Sequence, residues 1–188
     1  MGKSTSANWL REMQLPVVDT DQLAKDLVQP GQGALEEIKQ VFGPEIVGTD
    51  GQLRRQALAD QVFADEAKRR LLEAILHPRI RTAWLEAAAR WRAERRPLAV
   101  VIIPLLYETG AEPHFDATVC VACSPASQSV RLRSRGWSET EIARRVKAQI
   151  PVAAKMDRST FVIWSEGNLA VHQAQLQQIV RSLACRDE

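Results

Sequence analysis

Short apolar runs alternate along this chain with stretches whose apolar residues recur every three to four positions. That alternation predicts its elements. From Ser4 to Gln14 the apolar positions Ala7, Leu10 and Met13 share one helical face, and Leu15-Pro16 ends the stretch. Pro16-Val17-Val18-Asp19 reads as a short buried strand, and Thr20-Asp21 opens a second helix carrying Leu23, Ala24, Leu27 and Val28. Pro30-Gly31-Gln32-Gly33 is a turn. Helical stretches follow at about 34–41 and 54–63, linked by Gly43-Pro44 and a turn at Asp50-Gly51. Glu66 to Leu76 is strongly helical, and His77-Pro78 predicts an interruption. The helix resumes from Ile80 to Arg95, with Trp84, Leu85, Ala88 and Trp91 on one face as core positions.

The second half repeats the alternation in the opposite proportion. Leu98 to Ile103 is a continuous apolar run, the pattern of a central parallel strand covered on both faces. A further strand spans about 117–123, and two short helices flank Gly136-Trp137-Ser138. A strand over 160–164 and a helix over 169–183 close the chain. Strand–helix alternation of this kind predicts an α/β fold with a doubly wound parallel sheet. The largely helical block between the first and second apolar runs, roughly seventy residues, is too long for a simple crossover and predicts a substrate-side subdomain over about 30–96.

Composition narrows the picture. At 188 residues one domain is expected, and the 45% apolar content is enough for a core. A formal net charge of +2 implies no strong polyanion-binding surface and no nucleic-acid partner. The arginine pairs at 54–55, 69–70, 95–96 and 144–145 are interleaved with acidic residues, the pattern of solvated helix faces. No apolar run is long enough to span a membrane and no signal peptide opens the chain, so a cytoplasmic protein is expected. Cys120-x-x-Cys123 lies in a strand pattern whose period of two sends the thiols to opposite faces. No second pair completes a zinc site.

Candidate chemistry begins at the first residues. Gly2-Lys3-Ser4-Thr5 leading into a helix is the closing half of a phosphate-binding loop, in which backbone amides and a helix N-terminus wrap nucleotide phosphates. The same residues fit two other readings: an N-myristoylation signal, Met1-Gly2 with Ser6, and a frayed tail with Ser4 or Thr5 as a cap. Asp19 and Asp21 bring two carboxylates to a strand end, where α/β folds place their ligand crevice; as single residues they also suit a strand end and a helix dipole.

In order along the chain, Gly2-Lys3-Ser4-Thr5, Val17-Val18-Asp19-Thr20-Asp21, Phe42-Gly43 with Asp50-Gly51-x-Leu53-x-Arg55, Leu76-His77-Pro78-x-Ile80-Arg81, Pro104-Leu105-Leu106-Tyr107-Glu108, and Arg131-x-x-x-Arg135 with Ala143-x-Arg145-Val146-x-x-Gln149 form one register. That register resembles the dephospho-CoA kinase family over nearly the whole chain. The resemblance implies a P-loop NTPase-type doubly wound parallel sheet, a helical acceptor insertion and a helical lid at about 125–150. It implies ATP and Mg²⁺ as cofactors and dephospho-CoA as the small-molecule substrate, phosphorylated on its ribose 3′-hydroxyl. Gly2, Lys3, Ser4 and Thr5 would hold the nucleotide, Ser4 and Asp19 would serve Mg²⁺, and Asp21 would be the base. Arg135 and Arg145 would close from the lid, and Asp19, His77 and Arg81 would face the acceptor.

Other readings stay open for several of these residues. The lid arginines also suit a solvated helix face, and a histidine before proline also suits a cap or a packing position. The chain departs from the family where Thr160 and Ser165 stand for its usual Asp and Asn. It also lacks the first strand and the first half of the loop, so it is expected to begin at an internal methionine. A non-catalytic remnant that binds CoA-like ligands, or folds only in part, is the alternative from another class. A P-loop kinase of other nucleoside-like acceptors is argued against by His77-Pro78 and the Pro-Leu-Leu-Tyr-Glu run.

Overall fold

The computed structural model describes residues 2–185. They divide into two compact units, Val18–Ile102 and a second made of Met1–Val17 with Ile103–Glu188.

In the first unit, strand β1 (Val17–Asp19) runs straight into helix α2 (Thr20–Asp26). Asp19 makes that transition possible: its carboxylate accepts the Asp21 amide at 2.9 Å and caps the helix. Thr20, buried beside it, donates its hydroxyl to the Ile102 carbonyl at 3.0 Å, on strand β2 (Val100–Ile102), which pairs with β1. Between the two strands lie α3 (Gly33–Phe42), α4 (Arg55–Ala64) and α5 (Glu66–Ala93). Their apolar faces meet in a core of Val28, Ala34, Ile38, Phe42, Ile46, Leu58 and Ile75. Gly43, at φ 97°, turns the chain out of α3, a conformation costly for any residue with a Cβ.

Helix α5 corrects the expected break at His77-Pro78. It continues through Pro78 without interruption. The proline ring crowds the preceding turn, and Arg79 compensates there: its guanidinium donates to the Ile75 carbonyl at 2.7 Å and to the Glu37 carboxylate at 2.6 Å. Packing against α2, α3 and α4 holds both halves of α5 in line.

The second unit opens with α1 (Lys3–Glu12) and continues through β3 (Val119–Ala122), α6 (Pro125–Arg133), α7 (Glu139–Lys147), α8 (Val152–Arg158), β4 (Phe161–Trp164) and α9 (Leu169–Ala184). Strands β3 and β4 run parallel, with Val119 opposite Phe161 and Ala122 opposite Trp164. Ala122 and Ile163 are fully buried. This is the α/β architecture with parallel pairing that the pattern predicts. Among the described residues the strands pair two by two, β1 with β2 and β3 with β4.

Two differences in detail have local causes. The run Leu98–Ile103 yields a strand of only Val100–Ile102, and its residues are half-buried rather than covered on both faces. Helix α8 was not predicted at all. It is seven residues long and follows Pro151 directly, so it offers too little periodic pattern to read.

Candidate functional site

The predicted nucleotide residues cluster at one helix end. Gly2 precedes α1 at φ 84° as its N-cap, and no side chain caps the turn. The glycine is required twice over. Its left-handed backbone disfavours a Cβ, and a Cβ built there would lie 2.8 Å from Cε1 of His172 and 3.3 Å from Cβ of Ser165. Lys3, Ser4 and Thr5 form the first turn; Ser4 is exposed, and Lys3 and Thr5 are half-buried. First-turn amides and the positive end of a helix dipole favour an anion at this end of α1.

Behind this turn stand His172 and Trp9, which the sequence does not flag, together with Ser6, Arg131 and Ser165. The Ser6 hydroxyl lies 2.9 Å from Nε2 of His172, both residues buried, and the Trp9 ring meets the imidazole edge-on. Burial first, and then the charge of Arg131, pushes His172 below its ordinary value, so the ring is kept neutral. Arg131 on α6 donates to the Ser165 hydroxyl at 2.9 Å and to its carbonyl at 2.6 Å. Glu166, next in the chain, accepts the Ser124 amide at 2.9 Å at the start of α6. Hydrogen bonds from the Ser124 and Ser127 side chains, and then that amide, hold its carboxyl down to about 2. The segment that departs from the expected family pattern is thus fastened to α6 at two points.

The two arginines expected in a lid differ from each other. Arg135 is exposed just beyond α6. Arg145 on α7 stacks its guanidinium 3.9 Å above the Trp137 ring, a cation–π contact between residues the sequence treats separately. Ser138 and Glu141 form a full capping box at the start of α7. At the foot of these helices Glu108 accepts Lys155 Nζ at 2.6 Å and the Ile150 amide at 3.0 Å. Burial would raise its carboxyl, but hydrogen bonds from Lys155 and the backbone, with the charge of Lys155, outweigh that and hold it low.

In the other unit Asp19 and Asp21 share one cap. The Asp19 carboxylate takes the Asp21 amide, and the Asp21 side chain is exposed on the first turn of α2. His77 and Arg81 are exposed one turn apart on α5. The residues between them, Pro78 and Arg79, line a groove of about 550 Å³ together with Leu27, Gln32, Ala34 and Glu86. Among the described residues no group of three or more His, Cys, Asp or Glu side chains could hold a metal ion, and no helix is long and apolar enough to cross a membrane.

Comparison with known proteins agrees with the motif register. The dephospho-CoA kinase family model matches residues 1–171. A dephospho-CoA kinase from Bdellovibrio bacteriovorus is 38% identical over 187 residues, which are 100% of this chain and 92% of that protein. One from Anaeromyxobacter dehalogenans is 47% identical over 88% of this chain and 79% of its own. Among solved structures, a Thermus thermophilus crystal structure superposes with a TM-score of 0.79 at 36% identity, covering 97% of this chain and 92% of that one.

Proposed function

The chain belongs to the dephospho-CoA kinase family, and from that premise we propose the roles of its residues in ATP-dependent phosphorylation of dephospho-CoA, the closing step of CoA synthesis. The observation that carries the assignment is the turn Gly2–Thr5, where a left-handed glycine opens α1 with no capping side chain. The β- and γ-phosphates rest on the first-turn amides with Lys3 reaching them, and Thr5 adds a contact to the α-phosphate.

Mg²⁺ would be bound together with the nucleotide. It prefers oxygen donors, keeps several waters and leans on substrate phosphates, and the Ser4 hydroxyl and the Asp19 carboxylate are donors of that kind. The ion would neutralise charge on the phosphates. Asp21 accepts the proton of the ribose 3′-hydroxyl. That oxygen then bonds to the γ-phosphorus as the bond to the β,γ-bridging oxygen breaks and ADP leaves. Little covalent work falls to the protein in such a transfer, so positioning and charge neutralisation dominate. Arg135 supplies planar donors to the transferring group, and Arg145 joins it after leaving the Trp137 face. His77 and Arg81 bind the acceptor's phosphates, and the groove beside Pro78 takes part of its body.

The test is ADP release with ATP, Mg²⁺ and dephospho-CoA. Asp21→Asn is expected to lose at least about a hundredfold in turnover, the range for a general base, with ATP affinity nearly unchanged. Retention of most of the turnover removes Asp21 from the base role. If the unaltered chain binds ligands without turnover, the non-catalytic remnant reading takes the lead.

A further inference from the structure

The wall behind Gly2 is made of polar side chains withdrawn from solvent, and none of them has a role so far. His172 is 4% exposed and Ser6 5%. The Ser6 hydroxyl lies within 2.9 Å of His172 Nε2 and also reaches the Gly2 carbonyl at 3.4 Å. The Ser6 amide donates to that same carbonyl at 3.0 Å. A hydroxyl has one proton; when Ser6 gives it to the carbonyl, it accepts from Nε2–H of the imidazole. A continuous series of bonds then runs from α9, through the Ser6 side chain, to the peptide that forms the turn. The Trp9 ring fixes the plane of the imidazole from the side. The imidazole also touches Gly2 itself, since Cε1 fills the space a Cβ would need.

An imidazole in a core costs free energy unless it is bonded, and an apolar residue would join α9 to α1 with no such requirement. The polar arrangement is therefore informative: its bonds go to a turn whose glycine keeps a left-handed conformation.

We propose that His172 is a positioning residue for nucleotide binding, acting through Ser6 and the Gly2 carbonyl to fix the turn Gly2–Thr5. This rests on the reading of that turn as the phosphate site. His172 touches no substrate; it sets the backbone that does. Displacing that backbone weakens ATP binding and leaves the acceptor side unaffected.

Three variants of the full chain separate this role from simple packing. His172→Phe keeps ring volume and the Trp9 contact but loses the hydrogen bond, Ser6→Ala removes the intermediary, and His172→Gln restores a donor. ATP affinity with Mg²⁺ by calorimetry, KM for each substrate and urea midpoints are measured, with amide exchange at Ser6 and Ala7 read on the nucleotide-free protein. His172→Phe and Ser6→Ala are each expected to weaken ATP binding about tenfold and to speed exchange at Ser6. The KM for dephospho-CoA stays within about twofold, because the acceptor side is not displaced. The double variant is no worse than either single change, because the two groups act in series, and His172→Gln recovers most of the loss. A lowered urea midpoint with unchanged ATP affinity and unchanged exchange at Ser6 overturns the proposal and leaves His172 as packing. Lys3→Ala tells the two readings apart. If it abolishes ATP binding while His172→Phe does not alter it, the positioning role alone fails. If Lys3→Ala has no effect, or the unaltered chain does not bind ATP, the phosphate-turn reading fails with it.

Discussion

Both compact units bury apolar side chains, but they differ in the polar groups buried beside them: Thr20 in Val18–Ile102 and several more in the other. In Val18–Ile102 the interior is a continuous apolar cluster from Val28 to Ile75, with Ile38 and Ile46 fully enclosed, and the charged pairs Glu66–Arg70 and Glu73–Arg69 stay on the surface of α5. In the other unit the buried groups include Ser6, Lys155, Ser165 and His172, each hydrogen-bonded to another element. The first is held mainly by area removed from water, which has no direction. The second adds, to a buried apolar set that includes Leu10, Ile142, Ile163 and Leu176, bonds that specify geometry. A unit proposed to hold a phosphate turn has use for directional bonds. A helical unit presenting a groove needs chiefly to be packed.

Four measurements break or sharpen that contrast. The largest effect is expected from Ile38→Ala, which empties a fully buried site among α3, α4 and α5 and should cost about 4 kcal/mol of stability. A urea midpoint within error of wild type would remove the apolar core as the support of that unit.

Next comes Lys155→Met, which leaves the Glu108 carboxylate without its partner inside the other unit and should cost about 3 kcal/mol. The double change Lys155→Met with Glu108→Leu should recover part of this, because no uncompensated charge is left and only the Ile150 amide loses its acceptor. No recovery would mean that the pair matters by shape rather than by charge.

The third effect is on pH. Glu108 is held below its ordinary value of 4.5, so its contribution is complete above that pH and is lost as pH falls through the lower folded value. His172 is held below 6.5, so its neutral, bonded form favours folding fully above 6.5 and less as pH falls below it. Amide protection at Ser6, α9 and Ile150, taken relative to the intrinsic exchange rate at each pH, should therefore fall on acidification before that of α3 does. Loosening of α3 first would reverse the contrast. The smallest effect is expected on the surface: Arg70→Ala should change stability by less than about 0.5 kcal/mol, because its ion pair with Glu66 is solvated on both sides.

By itself the sequence determined whatever depends on neighbours a few residues apart. Gly2 through Thr5 as a helix-opening turn and Asp19 as the end of one strand and start of a helix are local, and the structure has them there. The alternation of apolar runs with helical spacing likewise gave the α/β class, because side-chain periodicity is a local consequence of backbone geometry. Only the tertiary structure decided the rest. Pro78 looks like a helix break until Arg79 finds Glu37 across a separation of 42 residues. The Ser6–His172 bond spans 166 residues and the Arg131–Ser165 bonds span 34, and no spacing along the chain announces either. A hydrogen bond has direction and a single partner, so it leaves no periodic trace. A hydrophobic face recurs and is legible wherever the helix or strand that carries it is long enough.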